Sequence, residues 1–233
     1  MFTLRKYSSE SQRASVKTLR NLSVVSTEVR HEARTYFYAA NNFTVCCHNY
    51  EYLPVFVRWL EAMGTECRAV LKSVEMHGYQ WYQPSTELTQ QLHALLRDCK
   101  SARKLDLSMN VRHVCEANLA ELSIYLDFMG PEPHDGPMPE VDVAEWAQTI
   151  ASMPKLANFT LEMELRVDEA MIRLGNEKSL SGLSSERGRV LAKDIAKRSR
   201  VAIRKSCDRD IAVQVRYTGE SVGLRYVPWT GVI

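Results

Sequence analysis

Histidines are the residues of this sequence best suited to acid–base or metal chemistry, and they stand at positions 31, 48, 77, 93, 113 and 134. No two follow the His-Glu-x-x-His spacing that puts two metal ligands on one helical face. His77 lies at the end of a predicted strand, where α/β enzymes place functional groups. A site near His77 is therefore one hypothesis for an enzyme, although a lone histidine there is more often structural. His93 and His113 are predicted to lie on helix surfaces.

The run Cys46-Cys47-His48 is the local cluster of soft metal ligands in the sequence. Adjacent residues of a strand point to opposite faces, so these side chains cannot easily coordinate the same metal ion. The six cysteines contain no Cys-x-x-Cys pair. Free cysteines usually behave as small buried hydrophobic residues, and we expect that role here. The sequence predicts no metal site.

Motifs for nucleotide binding or nucleophilic catalysis are absent from the sequence. There is no Gly-x-Gly-x-x-Gly after a strand, no Walker loop and no Gly-x-Ser-x-Gly elbow. Glu162 and Glu164 share one face of a predicted strand, but carboxylates on a half-exposed strand are usually just solvated. We therefore expect no cofactor and assign no catalytic residue.

A basic stripe marks the predicted helix 186–206. Residues 184–207 carry eight basic and two acidic side chains, whereas residues 129–177 carry ten acidic and three basic ones. The stripe is spaced 4, 4, 3 and 4 along one helix face and consists of Arg189, Lys193, Lys197, Arg200 and Arg204. These side chains are candidates for phosphate or nucleic-acid contacts. The competing interpretation is an ordinary solvated helix face.

An aromatic loop at 78–84 offers candidates for partner binding, namely Tyr79, Trp81 and Tyr82. Exposed aromatic side chains often anchor protein partners. The loop could equally fold back over the core.

The elements that position these residues come from a chain of ordinary composition. It has 233 residues, 45% hydrophobic and 25% charged, with a net charge of +2. Such a chain can build a core, and its charge does not itself indicate a nucleic-acid or membrane partner. The sequence has no secretory signal pattern and no run of about 18 apolar residues. We expect an intracellular protein, cytoplasmic or nuclear, with reduced thiols and no membrane contact.

Apolar residues recur at helical spacing in several segments. The predicted helices cover 27–40, 52–63, 86–99, 113–129, 143–152 and 186–206. Ser26 or Thr27 is predicted to cap the first of these, and Gly64 to end or bend the second. In the first helix the residues that recur at helical spacing are Val29, Ala33, Tyr36, Phe37 and Ala40. Tyr36 and Phe37 are predicted to supply large buried areas.

Strands are predicted between these helices, at 43–47, 71–77, 104–109, 159–165 and 211–217. The clearest alternation is at 159–165, where odd positions are apolar and even ones polar, which favours one wet face. Strands separated by helices pair in parallel through helical crossovers. We predict an α/β fold of repeated helix–strand units, with an open, mainly parallel sheet and helices packed on it. The strands are 31 residues apart from Val74 to Leu105 and 54 apart from Leu105 to Phe159. A leucine-rich repeat normally runs 20–29 residues, so the units resemble at most a degenerate form of such a repeat.

The domain organisation follows from the loops. Residues 1–13 are polar and weakly patterned, so we predict a disordered tail. Residues 130–142 hold four prolines and two glycines, which predicts a surface loop. Because the helix–strand pattern is the same on either side of this loop, residues 14–233 are predicted to form a single domain.

The segment 22–78 resembles the core of a group of fungal F-box-like proteins of unknown function. The matching positions are Val29, Arg30, Glu32, Ala33, Phe37, Tyr38, Asn42 and Phe43. The group usually carries an F-box-like segment of the form Leu-Pro-x-Glu-(Ile/Leu)-Arg before this core, and residues 1–21 contain no such pattern. The resemblance implies a non-enzymatic protein-interaction module, a substrate-recognition or scaffold part. The alternatives are a nucleic-acid or phosphate-binding protein using the basic helix, and an enzyme with a site near His77.

Overall fold

The computed structural model describes residues 17–18, 21, 24, 26–47, 52–78, 86–110, 114–115, 138–167 and 182–222. The helices of this part are α1 (Thr27–Ala40), α2 (Tyr52–Val70), α3 (Thr86–Arg97), α4 (Ala144–Ala151) and α5 (Gly182–Ser206). Its strands are β1 (Phe43–Cys47), β2 (Ser73–Gly78), β3 (Lys104–Asn110), β4 (Asn158–Val167) and β5 (Ala212–Val222). Helices and strands alternate along the chain, which confirms the predicted α/β fold class.

The five strands form one parallel sheet in the order β1-β2-β3-β4-β5. One row of paired residues crosses the whole sheet, from Phe43 through Val74, Leu105 and Phe159 to Val213. The spacings along this row are 31, 31, 54 and 54 residues. They exceed the 20–29 residues of a leucine-rich repeat, so a relation to that family stays a prediction.

Helices pack against one face of this sheet. Crossovers between parallel strands are right-handed, so successive steps in one direction leave the connecting helices on the same side. The apolar strand positions are buried with the apolar sides of α2 to α5 in one cluster. Val74, Leu105 and Phe159 from the strands and Phe56 and Leu60 from α2 are at most 2% exposed. The polar strand positions therefore lie on the opposite face.

The turns that lead into the strands stack on one another. The amide of Arg103 donates to the carbonyl of Lys72 over 2.8 Å, and the amide of Ala157 donates to Arg103 over 3.0 Å. Ala212 continues the series by donating to Ala157 over 2.8 Å. These bonds fix the register at the amino end of the sheet, because each turn is tied to the preceding one.

Helix α1 begins as predicted but packs differently. The Ser26 hydroxyl accepts a hydrogen bond from the amide of Val29 over 3.1 Å and caps the helix. The predicted burial of Tyr36 is wrong, since this residue is 75% exposed. α1 buries none of its residues, because it lies at the end of the helix layer. The aromatic contacts of α1 with β1 are made by the next two residues: the rings of Phe37 and Tyr38 lie 5.4 and 5.1 Å from the ring of Phe43.

Gly64 bends α2, as the sequence predicts. Its φ of 77° is left-handed, a conformation that favours glycine, and the helix continues beyond it to Val70. The Arg34 guanidinium of α1 donates to the carbonyls of Ala62 and Met63, at 3.3 and 3.2 Å. These carbonyls would otherwise lack helical partners at the bend, so the arginine stabilises it.

The helix predicted at 113–129 is not formed at Val114 and Cys115, the described residues of its first turn. Cys115 instead forms an isolated antiparallel bridge with Val141, and both residues are buried. The remainder of that predicted helix, most of the proline-rich loop and the tail 1–13 lie outside the described residues.

Candidate interaction surface

The face of the sheet opposite the helices carries polar side chains on all five strands, and we call it the polar face. Its members with described side chains are Thr44, Ser73, Glu75, His77, Lys104, Asp106, Ser108, Thr160, Glu162, Gln214 and Arg216. They alternate along each strand with the buried apolar positions, because successive strand side chains point to opposite faces. The sequence signal for this face was clearest in β4.

A first row of the polar face is centred on Glu75. Lys104 Nζ lies 2.8 Å from Glu75 Oε1 and 3.2 Å from Asp106 Oδ2. Thr44 donates to Glu75 Oε2 over 2.9 Å, and Ser73 donates to Glu75 Oε1 over 3.1 Å. Three adjacent strands are thereby linked through charged side chains.

These contacts shift the ionisation of the paired groups. Burial opposes ionisation of Glu75, but the hydrogen bonds from Lys104, Thr44 and Ser73 outweigh it and hold the pKa of the carboxyl below its usual value. The hydrogen bond to Glu75 raises the pKa of the Lys104 amine, and Asp106 adds to that effect. Both groups are therefore charged at neutral pH.

A second row runs parallel to the first on the same face, two residues further along each strand. His77 Nδ1 lies 3.0 Å from Ser108 Oγ, and that hydroxyl lies 3.5 Å from Glu162 Oε2. Arg216 Nη1 on the edge strand is 4.0 Å from Glu162 Oε1. His77 thus has the hydrogen-bonding neighbours that an acid–base catalytic site would need. Ser108, however, is 1% exposed, so its hydroxyl is inaccessible as a nucleophile.

One acceptor of the polar face is unused. Asp106 Oδ1 is buried and accepts no hydrogen bond from another described residue, although Oδ2 of the same carboxylate meets Lys104. A buried acceptor without a donor is unfavourable by about 1–3 kcal/mol.

The residues of the basic stripe are all exposed on α5. Arg200 donates from Nη2 to the carbonyl of Val213 on β5 over 2.8 Å. In the described part of the chain the other four, Arg189, Lys193, Lys197 and Arg204, contact no acidic or hydrogen-bonding partner. The neighbouring Arg198 is paired with Asp194 at 2.5 Å. The stripe is thus available to an anionic ligand.

The aromatic candidates Tyr79, Trp81 and Tyr82 lie outside the described residues, directly after β2. The side chains of Cys46 and Cys47 and all of His48 do so as well. Within the described ranges, no group of three or more histidine, cysteine, aspartate or glutamate residues is placed to bind a metal ion. No helix in those ranges is long and apolar enough to cross a membrane.

His93 is a residue whose environment the sequence analysis missed. The prediction that it lies on a helix surface is wrong, because it is 1% exposed. Its Nδ1 lies 2.9 Å from Thr149 Oγ1, and its ring packs edge-on against Trp146 at 4.4 Å. Burial, helped by the charge of Arg97, lowers the pKa of His93 to about 4. The histidine therefore joins α3 to α4 as a neutral side chain.

Arg209 was also missed. Its guanidinium donates to four carbonyls at the end of α4 and in the following turn, those of Ile150, Ala151, Met153 and Leu156, at distances from 2.8 to 3.4 Å. No local pattern of the sequence indicates this contact, because the partners lie more than 50 residues away.

Comparison with known proteins identifies no relative: no protein-family model matches the chain, and neither a curated protein nor a solved structure matches it. The resemblance of residues 22–78 to fungal F-box-like proteins therefore stays a prediction.

Proposed function

We propose that this chain is a non-enzymatic protein-interaction module that binds its partner on the polar face. In the terms of the F-box-like resemblance, it would be a substrate-recognition or scaffold part. The observation that supports the proposal is a row of charged and hydrogen-bonding side chains on five consecutive strands, opposite the helix layer. Stacked helix–strand units commonly use such an extended face for binding.

The chemistry of the polar face favours a partner rich in hydrogen-bond donors. Glu75, Asp106 and Glu162 contribute three carboxylates, and Lys104 and Arg216 contribute two cations. A lysine or arginine side chain of the partner would pair with the exposed parts of these carboxylates, and complementary charge would speed the encounter.

Site-specific photo-crosslinking tests this proposal. A photoreactive phenylalanine analogue replaces Gln214 on the polar face in one variant and Val201 on the outer side of α5 in another; both sites are exposed. In a nuclease-treated fungal lysate, we expect one discrete protein to be captured from Gln214 and not from Val201. Capture should fall at least fivefold when Asp106→Asn and Glu162→Gln are added. Equal capture from both sites would contradict the proposal.

Binding of nucleic acid or another polyphosphate through α5 is the second candidate function. It is favoured by the exposed side chains of Arg189, Lys193, Lys197 and Arg204, which have no partner among the described residues. Four phosphate contacts would give an affinity that falls steeply with salt, with a slope near −3 to −4 on logarithmic axes.

Fluorescence anisotropy with a labelled single-stranded oligonucleotide tests this second function. Lys193→Glu with Lys197→Glu should weaken binding at least tenfold, whereas Lys72→Glu with Lys155→Glu, an equal charge change at exposed sites elsewhere, should not. If both double variants bind alike, the basic stripe is a solvated helix face.

A further inference from the structure

A groove of about 330 Å³ lies between the carboxyl-terminal half of α5 and the start of β5. Its lining includes Arg200, Ile203, Arg204, Arg209, Ile211 and Val213. Ile211 and Val213 place most of the groove on the helix side of the sheet, and Gln214 of the polar face borders it at the sheet edge.

β5 forms one border of this groove and is an edge strand with 11 residues. In the described part of the chain, no strand pairs with its outer side. The amide of Ala212 points inwards and donates to Ala157, whereas the carbonyl of Val213 points outwards and accepts from Arg200. By alternation the backbone groups of Val215 also point outwards, where they can pair with another chain.

Cationic side chains flank this edge on both sides. Arg204 is exposed on α5 beside the groove, and Arg216 projects from the polar face with 61% of its side chain exposed. Asp210 is the acidic residue of the groove lining. Arg200 and Arg209 already bind carbonyls. Arg216 donates to Gln214 and lies 4.0 Å from Glu162, but its side chain, like that of Arg204, is exposed and can still meet an external anion.

We propose that the β5 edge binds an extended, acidic segment of a partner protein as an added strand. Backbone pairing with Val215 would supply affinity, and alternate carboxylates on the two faces of the added strand would meet Arg204 and Arg216. Nucleic acid fits this edge less well, because backbone amides and carbonyls at two-residue intervals complement another peptide. The inference is independent of binding at the centre of the polar face.

The test uses the full chain and a labelled octapeptide with the repeat Glu-Glu-Val-Val, which places glutamates on both faces of an added strand. We expect it to bind more tightly than a peptide with the repeat Lys-Lys-Val-Val, and to slow hydrogen exchange at the Val215 amide. Arg204→Glu with Arg216→Glu should weaken binding at least tenfold. Arg189→Glu with Lys193→Glu, an equal charge change further along α5, should have less than a twofold effect.

Several outcomes would overturn the proposal. Equal binding of the two peptides would show that charge does not select the ligand. Unchanged exchange at Val215 would show that no strand is added. Equal weakening by both double variants, with displacement by a 12-nucleotide oligothymidylate, would assign the binding to the basic stripe and to nucleic acid. Arg204→Gln with Arg216→Gln repeats the test without charge reversal, in case the glutamate variant unfolds.

Discussion

At the scale of single residues, His93 shows how burial sets a protonation state. Its ring lies between α3 and α4, hydrogen-bonded to Thr149 and packed on Trp146. Glu145 is nearby, with its Oε2 at 3.8 Å from His93 Nε2, yet burial dominates and the pKa falls to about 4. Protonation would place an imidazolium in a largely apolar contact between two helices.

This protonation cost makes the stability of the fold depend on pH. The unfolded chain binds a proton at His93 below about pH 6.5, whereas the folded chain does so only below about pH 4. Folding stability should therefore fall as the pH drops from 6.5 to 4, by up to about 3 kcal/mol from this residue. His93→Gln keeps a partner for Thr149 and does not titrate. Urea unfolding at pH 7 and pH 4 should show a smaller loss for the variant, and equal losses would contradict the account.

Arg209 is a second residue whose importance depends on distant partners. Arg209→Met keeps the aliphatic stem but leaves the carbonyls at the end of α4 without their donors. We expect a loss of about 2–4 kcal/mol in the free energy of unfolding, since each hydrogen bond from a charged donor contributes about 1.5–3 kcal/mol and the site is partly exposed. The matched control is Arg103→Met on an exposed residue, which should change stability by less than about 0.5 kcal/mol. Similar small losses for both would contradict the assigned role.

At the scale of elements, the approach of α5 to β5 depends on a glycine. A Cβ atom at Gly188 would overlap the ring of Tyr217 at its Cγ, Cδ1 and Cε1 atoms. In a free helix, alanine is about 1 kcal/mol more favourable than glycine. The contact with Tyr217 reverses that preference here.

Gly188→Ala should therefore destabilise the protein by about 1–3 kcal/mol through overpacking. Gly188→Ala combined with Tyr217→Val should recover part of the loss, because valine leaves room for the added methyl group. Thermal unfolding of the wild type, both single variants and the double variant forms the required cycle. Additive losses, or a stabilised Gly188→Ala variant, would show that the close approach is absent.

Much of each element could be read from local sequence, and the failures have physical causes. The alternation of apolar and polar residues predicts the strands because one face of the sheet is buried, as at Phe159, Leu161 and Met163 of β4. Tyr36 was assigned to the core because periodicity identifies an apolar face but not whether another element covers it. His93 was assigned to the surface because its partner Thr149 lies 56 residues away.

At the scale of the whole molecule, burial is uneven along the order of the strands. β2, β3 and β4 are paired on both sides, whereas β1 and β5 are edges of the described sheet. α1 packs beside α2 and buries none of its residues. Opening of the structure should therefore require least free energy at the α1 end.

Native-state hydrogen exchange measures this gradient without any substitution. The opening free energy for amides of α1 should be at least about 2 kcal/mol lower than that for Leu105 and Leu107 of β3, two side chains that are fully buried. The exchange of β3 should instead follow global unfolding in urea. Uniform protection across α1 and β3 would show that the chain opens as a single unit.

The candidate site was only partly foreseeable at this scale. The basic stripe was predicted because its residues share one helix, and all five are exposed there. The contacts of the polar face were not, since His77, Ser108 and Glu162 come from three strands and meet only through the register. Pairing in strict chain order was the missing information, because it decides which polar positions become neighbours.

The same chain-order pairing has a consequence for synthesis on the ribosome. Each strand finds its partner already made, so the sheet can extend as the polypeptide emerges. At an elongation rate of about 5–20 residues per second, the spacing of 31 residues takes about 2–6 s and that of 54 residues about 3–11 s. During synthesis the outer edge of β3, which carries Leu105 and Leu107, therefore stays unpaired for longer than the outer edge of β2 does. The edge of β4 stays unpaired for an equally long interval before β5 is made, because both spacings are 54 residues. A nascent-chain chaperone that recognises apolar strands would therefore engage this protein mainly while residues 111–222 are being translated.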